Sequence, residues 1–253
     1  MTEGPLDADE LEFLAAYDAS LYPHPSVAVD VVLLTVDGGA LRTLLLRRTS
    51  QPARDRWSLP GGFVGMDESL DAAAARVLAT KAGLQDVFTE QLYTFGDPGR
   101  DPRTRVVSVV YYALVEPHRL ERAVAEHQER PLALATVAVE ANGHVRGVRA
   151  IGPDGVPLPV AFDHEAIVAS AGERIRGKLG YAPIGFELLP DTFTLLELRH
   201  VHEAILGRPL NKDSFRRKLL DGGLVEPTGD RATGLGHRPP ELYRFARPGD
   251  ESR

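Results

Sequence analysis

The chain has 253 residues, 43% hydrophobic and 26% charged, which suits a globular protein of one large domain or two modest ones. It has no cysteine, which excludes disulfides and thiolate metal sites. A net charge of -7 excludes a uniformly basic coat for nucleic acid, yet residues 194–253 hold 11 lysines and arginines against 9 acids, and residues 208–218 hold five against one.

The first residues, "MTEGPLDADELEF", are acidic and unlike a secretory leader, and no apolar run is long enough to span a membrane. A cytoplasmic protein is expected. A short helix is predicted over residues 9–18. "VAVDVVLLTVD" (27–37) is β-branched and predicts a strand; Gly38 and Gly39 turn the chain, and "LRTLLLRR" (41–48) returns as its hairpin partner. "RWSLPGGFV" predicts a strand running into a glycine-rich turn. Residues 69–82 are alanine-rich and predict a helix stopped by Gly83. "TRVVSVVYYALV" (104–115) predicts a long central strand.

Beyond it the pattern weakens. A helix is predicted over 119–129, with edge strands in "ATVAVE" and "VRGVRAIG" around Asn142 and Gly143. Residues 162–180 predict an amphipathic helix ending at a glycine. The prolines and glycine of "YAPIGFELLPDT" mark a boundary. Hairpins around helices, without regular βαβ repeats, point to an α+β or mixed α/β fold. The expected division is a first domain over 1–180, a linker over 181–193 and a second domain over 194–250.

The helix after the glycine turn, "GGFVGMDESLDAAAARVLATKAGL", carries the first functional signal. A glycine turn opening a helix aims backbone N–H groups at an anion. Cleaving a pyrophosphate also needs divalent cations held by several carboxylates. Positions 77, 80 and 81 share one helical face and suit such a ridge, but they are Val77, Thr80 and Lys81. The stretch resembles a Nudix box, G-x5-E-x7-R-E-U-x-E-E-x-G-U. Gly62, Glu68, Arg76, Leu78, Gly83 and Leu84 fall in frame, and the three failures are the family's catalytic glutamates. No catalytic residue and no metal ligand is expected, and magnesium is not expected to be required. Lys81 reads either as a solvated surface charge or as a cation for the diphosphate.

Arg100, Asp101, Arg103 and Arg105 follow in the loop of "FGDPGRDPRTR". Clustered guanidiniums suit phosphate, and a solvated loop reads equally well. "FGDPGRDPR" and "AFDHEAI" resemble the ADP-ribose pyrophosphatase-like branch of Nudix proteins, which implies ADP-ribose or a related NAD fragment as ligand. The candidate ligand contacts are Arg48, Gly61, Gly62, Phe63, Glu68, Lys81, Arg100, Asp101 and Arg103.

"TFTLLELRHVHEAILGRPLNKDSFRRKLLDGGLVEP" predicts two helices joined by a turn, the second capped by Asn211. Leu195, Leu198, Val201, His202 and Ile205 space out as one buried face, and Phe215, Leu219 and Leu220 as the other. "LVEPTG" and "ELYRFA" then pair around a basic tip. This order makes a winged helix-turn-helix whose second helix enters the major groove. The candidate DNA contacts are Arg217 for a guanine; Asn211, Lys212, Ser214, Arg216 and Lys218 on the same helix; and Arg231, His237 and Arg238 on the wing. A small helical module for oligomerisation fits the same pattern.

The two halves together resemble the Nudix-related transcriptional regulators of NAD metabolism, the NrtR family. The resemblance implies a homodimer that represses NAD biosynthesis or salvage genes at a palindromic operator and is released by ADP-ribose, with no cofactor. The alternative is a working ADP-ribose pyrophosphatase with an appended interaction module, in which Glu90, Asp97 or Asp101 replaces the missing ridge.

Overall fold

The computed structural model describes residues 7–126, 131–139, 148–180, 182–232 and 239–246. A mixed sheet forms the centre of the sensor half. β1 (Ser26–Asp37) and β2 (Ala40–Arg47) make the predicted hairpin, with Asp37 opposite Ala40. β3 (Trp57–Ser58) pairs with β2 and β4 (Gly61–Phe63) with β1. β5 (Glu90–Phe95) and β6 (Val106–Leu114) extend the sheet on one side, where β6 runs parallel to β1; β7 (Leu132–Val139) and β8 (Val148–Ile151) extend it on the other. The order is β5-β6-β1-β2-β7-β8.

Both faces are covered. Along β1, Val29, Val31 and Leu33 enter one core, while Val32, Leu34 and Val36 enter the other. This two-residue alternation, apolar on both sides, is what a strand between two helical layers requires. The first face carries α2 (Leu70–Val77) and α3 (Pro117–Glu126), and the second α4 (His164–Lys178). The expected mixed fold therefore takes the form of an α/β/α sandwich. α1 (Ala8–Ala16), capped by Asp7, stands ahead of it with no buried residue.

One expectation needs correction, and three features go beyond the sequence pattern. β7 lies between β2 and β8, so "ATVAVE" is not an edge strand; Ala135 and Val137 enter the core under α4, while Leu132 and Leu134 enter the core with α3. β5 was not expected, because its alternation is interrupted by polar residues and it is a true edge. Residues 78–82 form a π-helical turn closing on Gly83, which adopts the left-handed φ of 66° open to glycine. The stretch 181–193 carries a 3-10 turn, Ile184–Leu188; Leu188 enters the sensor core and Phe193 the C-terminal one. The turn expected at Asn142 and Gly143 lies outside the described residues.

The C-terminal half follows its predicted order. α5 (Leu195–Leu206) opens with a reciprocal capping box between Thr194 and Glu197 and ends at Gly207. α6 (Lys212–Asp221) is capped by Asn211. β9 (Val225–Arg231) and β10 (Glu241–Phe245) form the wing, and Phe193 adds a third edge through paired bonds with Tyr243 of 2.9 and 2.8 Å. Phe193, Leu198, Leu219, Val225 and Tyr243 make its core. α5 is shared: Leu198 faces this core, while Val201 and Ile205 enter the sensor core with α4.

Candidate functional site

The glycine turn forms the floor of a cavity of about 540 Å³, a size that suits a nucleotide. Gly61 is there by necessity. A Cβ on it would fall 2.0 Å from Asp30 Oδ1 and 3.0 Å from the Val29 carbonyl, so only glycine lets β4 lie against β1. Of the expected ligand contacts, Arg48, Gly61, Gly62, Phe63, Lys81, Arg100, Asp101 and Arg103 line this cavity.

Glu68 does not line it. Its carboxylate accepts from Arg76 Nε at 2.9 Å and from the Gly65 N–H at 2.7 Å, and Arg76 also donates to the Phe63 carbonyl. The Arg76 hydrogen bond, then that of Gly65, holds the Glu68 carboxyl down at about 2. The pair braces the turn. The ridge positions are equally informative. Val77 is fully buried in the core under α2, the Thr80 hydroxyl donates to the Arg76 carbonyl at 2.7 Å, and Lys81 lines the cavity.

The arginine loop is more paired than its sequence suggests. Arg100, whose side chain is 5% exposed, donates twice to Asp163 at 2.9 and 2.8 Å and lies 3.6 Å from Asp30. Arg103 grips Asp101 at 3.0 and 2.7 Å while stacking over the Phe63 ring at 5.1 Å. That grip lowers the pKa of Asp101. Arg105 lies outside the cavity lining. Arg100 thus organises the wall, while Arg48, Lys81 and Arg103 remain at the surface of the cavity.

Several wall residues escaped sequence reading. Asp30 is buried, accepts the Ser108 hydroxyl at 2.6 Å and faces His164 Nε2 at 3.8 Å. An acid interrupting the apolar run "VAVDVV" was its signal. His164 Nδ1 accepts the Leu59 N–H at 2.9 Å, which assigns the neutral ring's proton to Nε2, toward Asp30. Burial, the largest influence, lowers the His164 pKa and keeps the ring neutral. Phe162 holds a left-handed φ of 56°, unusual for an aromatic residue, with its ring 4.9 Å below the Arg48 guanidinium. Arg47 and Arg76 also line the cavity. Among the described residues, no three of His, Asp and Glu gather as a metal site.

The other predicted surface is α6. Phe215 and Leu219 turn inward and Arg217 projects from the opposite side, exposed. Lys212, Ser214, Arg216 and Lys218 are exposed too. Arg216 leans toward the Tyr243 hydroxyl of the wing, while Ser214 and Lys218 border a groove facing α4. Two expectations change. Leu220 is 38% exposed rather than inside, because the wing's own core ends at Leu219. The Asn211 amide oxygen accepts the Ser214 N–H at 2.9 Å, so this atom serves the cap. On the wing, Arg231 donates to the Pro239 carbonyl at 3.0 Å; His237 and Arg238 lie outside the described residues.

Comparison with known proteins places both halves. Residues 24–146 match the NUDIX domain model and residues 185–245 the NrtR DNA-binding winged helix domain model. The chain is 37% identical over 243 residues to the "ADPR responsive transcriptional repressor NtrR" of Acinetobacter baylyi, covering 94% of this chain and 89% of the relative. It is similar to the crystal structure of Shewanella oneidensis NrtR, at 34% identity and a TM-score of 0.71 over 87% of this chain and 94% of that one. The same Shewanella protein complexed with a 27mer DNA matches at 33% identity and a TM-score of 0.68, over 87% and 93% of the two chains. No helix among the described residues is long and apolar enough to cross a membrane. A Nudix fold joined to this winged helix, with likeness along nearly the whole of such a relative, makes the chain a member of the NrtR family.

Proposed function

We propose that the chain is a DNA-binding transcriptional repressor of NAD biosynthesis or salvage genes, released by ADP-ribose or a related NAD derivative bound in the sensor cavity without being cleaved. One observation carries the non-catalytic part. The face of α2 that would need a carboxylate ridge gives its position to a buried valine, a threonine bonded to its own helix and a lysine. The cavity's carboxylates, Asp30 and Asp101, are engaged by Ser108, Arg100 and Arg103. This donor set does not fit a divalent cation, which wants several free oxygens, whereas a lining with Arg47, Arg48, Arg76, Lys81, Arg100 and Arg103 fits an anionic diphosphate. Magnesium and other cofactors are dispensable in this reading.

The DNA half of the reading rests on exposed Arg217 opposite the buried face of α6, flanked by Lys212, Arg216 and Lys218, and on the relatives named above. A guanidinium fork suits guanine, and the flanking cations suit phosphates. A homodimer places two such helices on the half-sites of a palindromic operator. ADP-ribose releases it by favouring a conformation that spaces the two helices wrongly. A ligand shifts DNA affinity only by its differential affinity for the two states.

The rival, a working pyrophosphatase, loses its substitute acids. Glu90 pairs with Lys178 away from the cavity, Asp97 caps the Gly99 N–H, and Asp101 is held by Arg103. Incubation with ADP-ribose and magnesium tests this directly. No AMP is expected; turnover of about 1 per second or faster overturns the reading. In parallel, gel shifts with DNA from upstream of NAD genes are expected to show a complex that ADP-ribose weakens by about tenfold or more.

A further inference from the structure

A second cavity, of about 500 Å³, opens between the C-terminal end of α4 and the two helices of the DNA-binding half. Its body is apolar, with Leu179, Phe186, Leu206, Phe215 and Leu224 among its walls. Its charged lining is of one sign: Arg176, Arg208 and Lys218 line it, and no aspartate or glutamate does. Among the described residues none of these three makes a salt bridge. The contrast with the first cavity is sharp, since Arg100 and Arg103 there each hold a carboxylate.

The geometry is held in place from both halves. Arg176 Nε donates to the Ile205 carbonyl at 2.7 Å, so the guanidinium is anchored while its Nη groups make no hydrogen bond to a described residue; Glu173, the acid that acts on it, lies outside the lining. His202 meets the Phe215 ring edge-on at 5.0 Å and makes no hydrogen bond to a described residue. A Cβ on Gly185 would fall 2.9 Å from His202 Nε2, so glycine keeps the wall clear there. Arg176 is half-buried, and a guanidinium with no acid on the cavity side is poorly compensated there. An anionic head satisfies it with charge-assisted hydrogen bonds, and an apolar body attached to that head covers the walls.

We propose that this cavity is a second ligand site, which takes a small amphipathic acid: an aromatic carboxylate whose head meets Arg176 and Lys218 and whose rings lie against Phe186, Leu206 and Phe215. Two fused rings fit the volume. The occupant touches α4 of the sensor half and α6 of the DNA-binding half at once, so it fixes one against the other. Binding at this site does not depend on the function proposed above; its effect on DNA does.

Calorimetry on the full chain with naphthalene-2-carboxylate tests the site. One site per chain is expected, with a Kd below about 1 mM. Arg176→Met is expected to weaken binding about tenfold, and Leu206→Trp, which fills the space, to abolish it. The neutral naphthalene-2-carboxamide is expected to bind at least about tenfold more weakly, and saturating ADP-ribose to leave one site per chain for the acid, since the two cavities share no lining residue. Thermal unfolding of each variant checks that it is folded; if Leu206→Trp is not, Arg176→Met and the amide carry the test. No binding, binding that Arg176→Met leaves unaltered, or equal displacement by inorganic phosphate overturns the proposal, the last outcome identifying a bare anion site. A gel shift with the same acid reads the DNA effect separately, so failure of the repressor reading leaves the calorimetric result standing.

Discussion

Arg100 shows how a residue's role depends on what surrounds it. Its sequence context advertises a phosphate-binding arginine, yet its guanidinium is used within the protein, doubly bonded to Asp163 and close to Asp30. Removing it leaves two acids beside a cavity without their cation. Arg100→Met is therefore expected to destabilise the fold by about 3 kcal/mol, read from urea unfolding, because breaking a buried pair strands its partner. A shift below about 1 kcal/mol would mean that water, not Arg100, neutralises these acids. Glu68 makes the same point at smaller scale: it occupies a box position, but its partner is Arg76 and its task is the turn.

At the scale of elements, α5 stands between the two halves and carries a titratable reporter. His202 has its pKa pushed down to about 4, first by burial and then by Lys218 on α6. The ordinary value of 6.5 applies in the unfolded chain. Above pH 6.5 both states hold a neutral ring, and its contribution to stability is complete. As pH falls from 6.5 toward 4 the unfolded chain takes up a proton that the folded one refuses, so stability is lost across that window. His164, also lowered by burial, acts with the same sign. His202→Gln is expected to flatten, without abolishing, the fall of the urea midpoint between pH 7 and 4.5. Parallel curves for the two proteins would show that the folded ring protonates freely.

On the scale of the whole molecule, the halves share a core. Val201 and Ile205 of α5 lie among sensor residues, and Arg176 of α4 caps the last turn of α5. At the N-terminal end of α4, His164 lines the first cavity and Asp163 holds Arg100, which lines it too. One helix thus touches the first cavity at one end and the DNA-binding half at the other. Ile205→Ala is expected to cost about 3 kcal/mol and to destabilise both halves together. Trp57, the one tryptophan, lies in the sensor sheet, so its fluorescence and the far-ultraviolet helical signal should unfold at one midpoint in both proteins. Separate midpoints would mean that the two halves fold independently.

The sequence by itself determined the elements and their types wherever local rules sufficed. The hairpin at Gly38 and Gly39, the helix stopped at Gly83, the cap at Asn211 and the winged order of the C-terminal half are written in turn residues, periodicity and capping side chains. It also placed Val77, Thr80 and Lys81 at the positions where the Nudix box has glutamates. Tertiary structure alone decided which charges remain for a ligand. Asp163 reaches Arg100 across 63 positions and Asp30 reaches Ser108 across 78, and no local pattern encodes such pairings. The cavity between α4 and α6 is decided the same way, since its cations come from separate segments and only packing leaves them facing one apolar space without an acid.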